Sequence, residues 1–215
     1  MLNVEGLNVF FGSQKVLDGV SLELPAGVMA GLIGRNGAGK TTFMRAIMGL
    51  IAKMEGRIHF DGVELDSLPA HSRAGLGIGY MPEDRKLVPE FTVEENVLLP
   101  AWSTGMRDSR ARLEWVYGLM PEVAGFRQRR ANQLSGGQQK LVALARALLC
   151  GNEMLLLDEP FEGVAPALAQ RLAQIIATLK DEGMAVLIAD SNEQHVRDLI
   201  DRTFLIERGS IGVQA

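Results

Sequence analysis

Residues 34–41 have the sequence Gly34-Arg35-Asn36-Gly37-Ala38-Gly39-Lys40-Thr41. A short apolar run at residues 30–33 precedes them, and residues 43–50 repeat apolar side chains at helical spacing. The stretch fits the pattern G-x-x-x-x-G-K-[ST] and lies between a predicted strand and a predicted helix, which is the setting of a phosphate-binding loop. It therefore predicts a parallel α/β fold with a site for nucleotide phosphates.

Each residue type in this loop has a physical reason to be there. The glycines let backbone amides curl around phosphate oxygens, and the following helix directs the positive end of its dipole at them. Lys40 would place a cation near the β- and γ-phosphates, the Thr41 hydroxyl would ligate Mg²⁺, and Thr42 continues the loop. The alternative is a glycine-rich turn without function.

Two carboxylates follow a second apolar run. Residues 154–157 are Met-Leu-Leu-Leu, and Asp158 and Glu159 come directly after them. The carboxyl ends of parallel strands face the ligand crevice, so both side chains are expected beside the phosphate loop. Asp158 suits a Mg²⁺ ligand and Glu159 suits the group that orients the attacking water in phosphoryl transfer. A solvated turn is the alternative.

The rest of the chain divides by its periodicity. Residues 1–25 and 57–60 alternate apolar and polar side chains, which predicts a small antiparallel sheet. Residues 90–133 predict helices without a strand, and further helices are expected from residue 138 and over 168–179, with a buried strand at 185–189. We expect one domain over residues 1–215 with an antiparallel β-subdomain and, at about 90–150, a helical subdomain.

Composition restricts the function classes. The 215 residues carry a formal charge of -4, which argues against a nucleic-acid partner because such binders usually have a basic excess. The single cysteine, Cys150, lies among leucines at helical spacing and is interpreted as a core residue. The apolar runs are far shorter than the roughly 20 residues that span a bilayer, so a cytoplasmic location is expected.

Residues 134–139, Leu-Ser-Gly-Gly-Gln-Gln, identify one ATPase family. They resemble the LSGGQ signature of ABC (ATP-binding cassette) ATPases, and the resemblance covers nearly the whole chain. It implies an ATPase that binds ATP and Mg²⁺ and sandwiches two ATP molecules in a head-to-tail dimer with a second, identical or different, cassette. A serine and two glycines at a helix start can form an anion site, although Ser135 as a plain helix cap is the alternative.

The resemblance also implies partners and further site residues. Integral-membrane permease subunits would bind the chain at the inner face of the cell membrane, and a solute-binding protein would act only indirectly. Phe11 is similar to the aromatic residue that stacks on adenine, with Val16 beside it, although a core phenylalanine is the alternative. The expected nucleotide-binding set is Phe11, Val16, Gly34, Arg35, Asn36, Gly37, Ala38, Gly39, Lys40, Thr41, Thr42, Ser135, Gly136, Gly137 and Gln138.

Glu83 occupies the position of the family's Q-loop glutamine and is expected to approach Mg²⁺ and water together with Thr41 and Asp158. This carboxylate, the stretch at residues 89–97 and the loop at 162–166 are most similar to the ATPases of branched-chain amino acid importers and their urea or amide relatives. The resemblance therefore implies solute import, with residues 83–97 meeting the permease.

Ser191 stands where the family has its switch histidine. The expected catalytic residues are Glu159, Lys40, Glu83 and Ser191. His195 could replace the missing imidazole if a helix begins here, but an exposed helical histidine is the favoured interpretation. A nucleotide-gated subunit with weak hydrolysis, paired with a more active cassette, stays as an alternative function.

Overall fold

The computed structural model describes residues 1–52 and 54–213. The strands are β1 (Leu2–Phe11), β2 (Gln14–Leu24), β3 (Met29–Ile33), β4 (Met54–Phe60), β5 (Val63–Glu64), β6 (Ile78–Met81), β7 (Met154–Asp158), β8 (Ala185–Asp190), β9 (Arg202–Glu207) and β10 (Ser210–Val213). The helices are α1 (Lys40–Ile47), α2 (Ala70–Gly75), α3 (Val93–Thr104), α4 (Ser109–Leu119), α5 (Pro121–Gly125), α6 (Gly136–Cys150) and α7 (Pro166–Asp181). Two three-residue 3₁₀ helices lie at Ala131–Gln133 and Glu193–His195.

The first sheet is antiparallel and has the strand order β2-β1-β4-β5. Alternating apolar residues of β1, such as Leu2, Val4 and Val9, are buried on one face. Gly56 lets β4 approach β1 closely, because a Cβ there would lie 2.8 Å from the Glu5 carbonyl oxygen. The predicted antiparallel sheet is confirmed.

The second sheet holds the parallel core in the order β10-β9-β3-β8-β7-β6. All of its pairs are parallel except β9 with β10. Its two faces pack into different clusters, since Leu155 and Leu157 contact the helical side and Leu156 contacts the side of the first sheet and α1. Burial on both faces explains the continuous apolar runs from which β3, β7 and β8 were predicted.

Residues 90–133 are helical as predicted, apart from an isolated bridge between Thr92 and Arg130. α3 begins with a capping box formed by Thr92 and Glu95, which satisfies backbone amides of its first turn. α6 buries the predicted face, and Cys150 at its end is buried in the core as expected. Within the part of the chain that is described, no helix has the length and apolar character needed to cross a membrane.

The topology fixes the position of the site. β3, β7 and β8 are neighbours, and the phosphate loop, the acidic pair and Ser191 follow their carboxyl ends. These segments therefore converge at one edge of the sheet, as the sequence predicted.

Candidate functional site

The loop after β3 needs its glycines for conformation and for space. Gly37 and Gly39 have φ values of 80° and 113°, in the left-handed region that side chains rarely adopt. A Cβ at Gly34 would lie 2.3 Å from the Ile206 carbonyl oxygen. α1 begins at Lys40 without a side-chain cap, so amides of its first turn stay available to an anion.

Lys40 lies inside this loop and is only 5% exposed. Its Nζ donates to the carbonyl oxygens of Gly34, at 2.7 Å, and Arg35, at 3.3 Å. The same nitrogen lies 2.9 Å from Glu159 Oε1, so a buried ion pair joins the loop to the end of β7. The residues predicted to bind phosphate and to orient water are thus in direct contact.

Asp158 is fully buried and held by two hydroxyl groups. Thr41 Oγ1 donates to Oδ1 at 3.1 Å, and the Tyr80 hydroxyl donates to Oδ2 at 3.3 Å. Burial raises the pKa of Asp158 from 3.8 to about 6, and the two hydroxyl donors oppose that shift. Burial and the neighbouring Asp158 also raise the pKa of Tyr80.

These contacts fit a magnesium ion. Asp158 is buried, and among the described residues no cationic side chain forms an ion pair with it, so its charge is available to a divalent cation. In the described part of the chain no three His, Cys, Asp or Glu side chains are grouped to hold a metal by themselves. Mg²⁺ usually takes one or two protein oxygens and completes its shell with phosphates and water, which matches Asp158 and Thr41.

Glu159 has a backbone that its neighbours hold in place. Its φ of 48° is unusual for a residue other than glycine, and such strain persists only where the surroundings enforce it. Its amide donates to the Ala189 carbonyl at 2.9 Å, and its Oε2 accepts from the Ser191 amide at 3.2 Å. The carboxylate is therefore fixed between β8 and the phosphate loop.

Lys140 is a further residue of this region that the sequence interpretation missed. It is 3% exposed, and its Nζ donates to the carbonyl oxygens of Glu159, at 2.8 Å, and Glu162, at 2.6 Å. Burial lowers the pKa of this lysine. A signal was present in the sequence, because Lys140 lies one helical turn before Leu144 on the apolar face of α6.

The segment after β8 forms a 3₁₀ helix at Glu193–His195 in place of the α-helix on which both interpretations of His195 depended. His195 is exposed, and its Nδ1 lies 3.2 Å from Oδ1 of the buried Asp190. Neither His195 nor Ser191 lines the cavity at the phosphate loop, and only the Ser191 backbone amide reaches Glu159.

A cavity of about 450 Å³ opens at the phosphate loop. Glu83 and Val16, which the sequence interpretation named, line it, while Gln14 and Glu162 are lining residues that the sequence interpretation did not include. The complete lining is Gln14, Val16, Asn36, Gly37, Gly39, Lys40, Thr41, Thr42, Glu83, Glu159 and Glu162. Phe11 is 52% exposed, so the alternative of a core phenylalanine is wrong.

The signature residues lie outside the phosphate cavity. Ser135 caps α6, accepting from the Gln138 amide at 3.3 Å, while Gln138 Oε1 accepts from the Ser135 amide at 3.1 Å. Ser135 and Gly136 are exposed, and residues 135–138 do not line the phosphate cavity. The capping role that was the alternative interpretation of Ser135 is present, and within one chain the signature residues do not line the phosphate cavity.

Residues 17–162 match the ABC transporter family. The chain is 34% identical to the high-affinity branched-chain amino acid transport ATP-binding protein BraG of Pseudomonas aeruginosa, over 98% of this chain and 91% of that protein. It is 35% identical to the lipopolysaccharide export system ATP-binding protein LptB of Haemophilus influenzae, over 98% of this chain and 88% of that protein.

Solved structures show the same fold. The ADP conformation of the ATP-binding cassette MJ1267 superposes with a TM-score of 0.84 at 30% identity, over 99% of this chain and 89% of that chain. The dimeric bacterial ABC transporter cassette MJ0796 gives 0.86 at 25% identity, over 100% of this chain and 97% of that chain. Together with the phosphate loop, the acidic pair and the signature, these similarities establish that the chain belongs to the ABC transporter family as an ATP-binding subunit with ATPase activity.

Proposed function

We propose that this chain hydrolyses Mg-ATP in a head-to-tail dimer of two cassettes and thereby powers the import of branched-chain amino acids or related amides through an integral-membrane permease. We infer the dimer from one observation, which is that the phosphate cavity and the signature are separate within one chain. The cavity at Lys40 has its own carboxylates and hydroxyls, whereas the start of α6 is exposed and contributes no residue to the lining of that cavity.

The proposed roles follow from the contacts. Lys40 binds the β- and γ-phosphates, and the amides of residues 37–42 surround their oxygens. Bound Mg²⁺ would neutralise charge on the phosphates, with Thr41 and Asp158 as its protein ligands and Glu83 near its water shell. Glu159, fixed by the amide of Ser191, orients the attacking water.

The adenine and the second cassette would complete the site. Phe11 is exposed and pairs across β1 and β2 with Gln14, which lines the cavity, so its ring is accessible as a stacking surface for a base must be. Ser135, Gly136 and Gly137 would offer the amides of α6 to the γ-phosphate bound by the second chain. The similarity to a cassette that forms dimers supports this arrangement.

Import is supported by Glu83, by residues 89–97 and by the similarity to BraG. A second transport class has support as well, because the identity to LptB, which serves lipopolysaccharide export, is equally high. A third candidate is the nucleotide-gated subunit with weak hydrolysis, which the short side chain of Ser191 favours. In each case the chain would sit at the inner face of the membrane through its permease.

Co-purification tests the substrate class. The tagged chain is isolated from detergent-solubilised membranes, and the recovered permease complex is reconstituted into proteoliposomes. ATP-dependent uptake of leucine, isoleucine or valine is the expected result. Release of lipopolysaccharide without amino acid uptake would contradict import and favour the export class.

A coupling variant tests where the permease binds. Glu90 is exposed in the segment that joins Glu83 to α3, so Glu90→Lys should lower transport in proteoliposomes more than it lowers basal ATPase activity. Equal losses of transport and of basal hydrolysis would contradict a coupling role for this segment.

A further inference from the structure

A second cavity lies on the other side of the Asp158 carboxylate. It has a volume of about 490 Å³, and its lining includes Arg45, Met48, Tyr80, Arg146 and Cys150. It is bordered by α1, β6 and α6, so it lies where the parallel core meets the helical part of the chain.

Among the described residues, Tyr80 is the one that both lines this cavity and donates to the buried carboxylate. Parallel pairing of β6 with β7 places Tyr80 beside Leu156, two residues before Asp158. The half-buried ring forms part of the cavity wall, while its hydroxyl donates to Asp158 Oδ2 at 3.3 Å. The other oxygen of Asp158 is held by Thr41 at the phosphate cavity.

We propose that Tyr80 is a positioning residue that links the state of this second cavity to the orientation of the Asp158 carboxylate. The inference rests on the proposed role of Asp158 as a magnesium ligand. A displacement of the ring within the cavity wall moves the hydroxyl, and the carboxylate then loses one of its two donors. Conversely, a change at Asp158 during nucleotide binding pulls on the ring and alters the wall.

The buried position of Asp158 strengthens its hydrogen bond with the Tyr80 hydroxyl. Asp158 is fully buried, and a hydrogen bond to a charged group is stronger where water cannot compete. Tyr80→Phe keeps the ring and removes only the hydroxyl. We therefore expect the Mg²⁺ concentration for half-maximal ATP hydrolysis to rise roughly 10-fold, the lower end of what loss of such a bond costs.

Cys150 supplies a second readout that does not depend on activity. It is the only cysteine in the sequence, it lines the same cavity, and its Sγ lies 3.8 Å from the carbonyl oxygen of Ile78 on β6. Burial raises the pKa of this thiol to about 11, so at neutral pH it reacts with a maleimide chiefly when the gap between α6 and β6 opens. Its labelling rate thus reports the state of the cavity wall.

Tyr117→Phe is the matched control. Tyr117 is the other tyrosine of the chain, and its hydroxyl also donates to a carboxylate, Glu94 Oε2, at 3.3 Å. Tyr117 lies on α4 and lines neither cavity, so loss of its hydroxyl should leave both the Mg²⁺ dependence and the labelling of Cys150 unchanged.

The experiment compares wild type, Tyr80→Phe and Tyr117→Phe by Mg²⁺ titration of hydrolysis and by maleimide labelling with and without Mg-ATP. We expect Mg-ATP to change the labelling rate by roughly threefold or more in wild type and Tyr117→Phe, because thiol reactivity follows exposure, and we expect this change to disappear in Tyr80→Phe. The inference is overturned if Tyr80→Phe matches wild type in both readouts, or if Mg-ATP leaves labelling of the wild type unaltered. If the wild type neither binds nor hydrolyses ATP, the proposed function itself fails.

Discussion

The two ends of the proposed nucleotide site differ in how complete they are within one chain. At the phosphate loop, Lys40, Asp158 and Glu159 are each at most 5% exposed, and each has a side-chain or backbone partner. At the signature, Ser135 and Gly136 are exposed, and a capping box formed by Ser135 and Gln138 satisfies backbone amides at the helix start.

This difference shows that a sequence motif can be folded locally and still need a second molecule to act. The phosphate-loop end is built from adjacent parallel strands, so the fold of one chain assembles it. The signature end is a helix start directed at solvent, and its amides can serve an anion only if another surface brings one.

Glu159→Gln should have the largest effect, because it removes the charge that orients water at the more complete end. Hydrolysis should fall roughly 10²- to 10⁴-fold, the usual contribution of a positioned acid or base, while ATP affinity is retained. The variant should also accumulate as an ATP-bound dimer, which light scattering with Mg-ATP would detect. A monomer that still hydrolyses ATP at the wild-type rate would contradict both the role of Glu159 and the dimer.

Lys40→Ala should weaken ATP binding by at least roughly 10²-fold, since it removes hydrogen bonds from a cation to the phosphates that are together worth about 3 kcal/mol or more. Titration calorimetry measures the change.

Gly136→Asp should instead leave ATP binding to the single chain unchanged and block hydrolysis, because it puts a carboxylate at the proposed anion site of the signature.

An equal mixture of Lys40→Ala and Gly136→Asp tests whether the phosphate loop of one chain works with the signature of another. Half of the dimers in an equal mixture are mixed, and each mixed dimer keeps one of its two composite sites intact, so about a quarter of the wild-type rate should return. No recovery above the sum of the separate variants would mean that both ends act within one chain.

Much of this architecture could be predicted because its signals are local. The phosphate loop, the acidic pair and the buried strands β3, β7 and β8 each follow from a short contiguous pattern, and the structure has all of them. The contact of Lys40 with Glu159 was expected as a convergence of strand ends, although its distance could not be read from the sequence.

The elements that were missed depend on long-range packing. β6 has four residues and includes Gly79, where an added Cβ would lie 2.2 Å from the Ala147 carbonyl oxygen, so the need for glycine in this strand follows from the close approach of α6. β9 and β10 complete the sheet beside β3, which is distant in sequence. The contacts of Lys140 and Tyr80 likewise join residues that are 19 or more positions apart.

Ser191→His tests whether the phosphate-loop end lacks a hydrogen-bond donor to the γ-phosphoryl group. Negative charge spreads over the γ-phosphoryl oxygens during transfer, and a fixed donor there lowers the barrier. The Ser191 amide already holds Glu159, so the imidazole would add a donor without removing that contact. Hydrolysis should rise roughly 10- to 150-fold, which corresponds to about 1.5–3 kcal/mol for a hydrogen bond to a charged group.

Steady-state phosphate release at saturating Mg-ATP measures this gain, with His195→Ala as the control. His195 pairs with Asp190 and does not line the phosphate cavity, so its removal should change the rate little. A large loss in His195→Ala, with no gain in Ser191→His, would show that His195 already supplies the donor.

The smallest expected effects concern stability, and they have opposite signs at the two ends. Ser135→Ala removes a helix cap and should lower the free energy of unfolding by about 1 kcal/mol. Asp158→Asn removes a buried negative charge that has no bound cation in the absence of Mg²⁺ and nucleotide. Under those conditions it should raise the free energy of unfolding by about 1–3 kcal/mol at pH 7.5.

The pH dependence separates this charge effect from a change in packing. The folded chain holds the Asp158 proton more tightly than the unfolded chain, with a pKa of about 6 against 3.8, so this group costs no stability below pH 3.8. Its cost grows as the pH rises through that interval and is complete above about pH 6. The difference between Asp158→Asn and wild type, measured by urea unfolding at several pH values, should therefore vanish near pH 4 and reach its full size by pH 7. A difference that stays constant with pH would assign the gain to packing, and the phosphate-loop end would then carry no buried charge that binding must compensate.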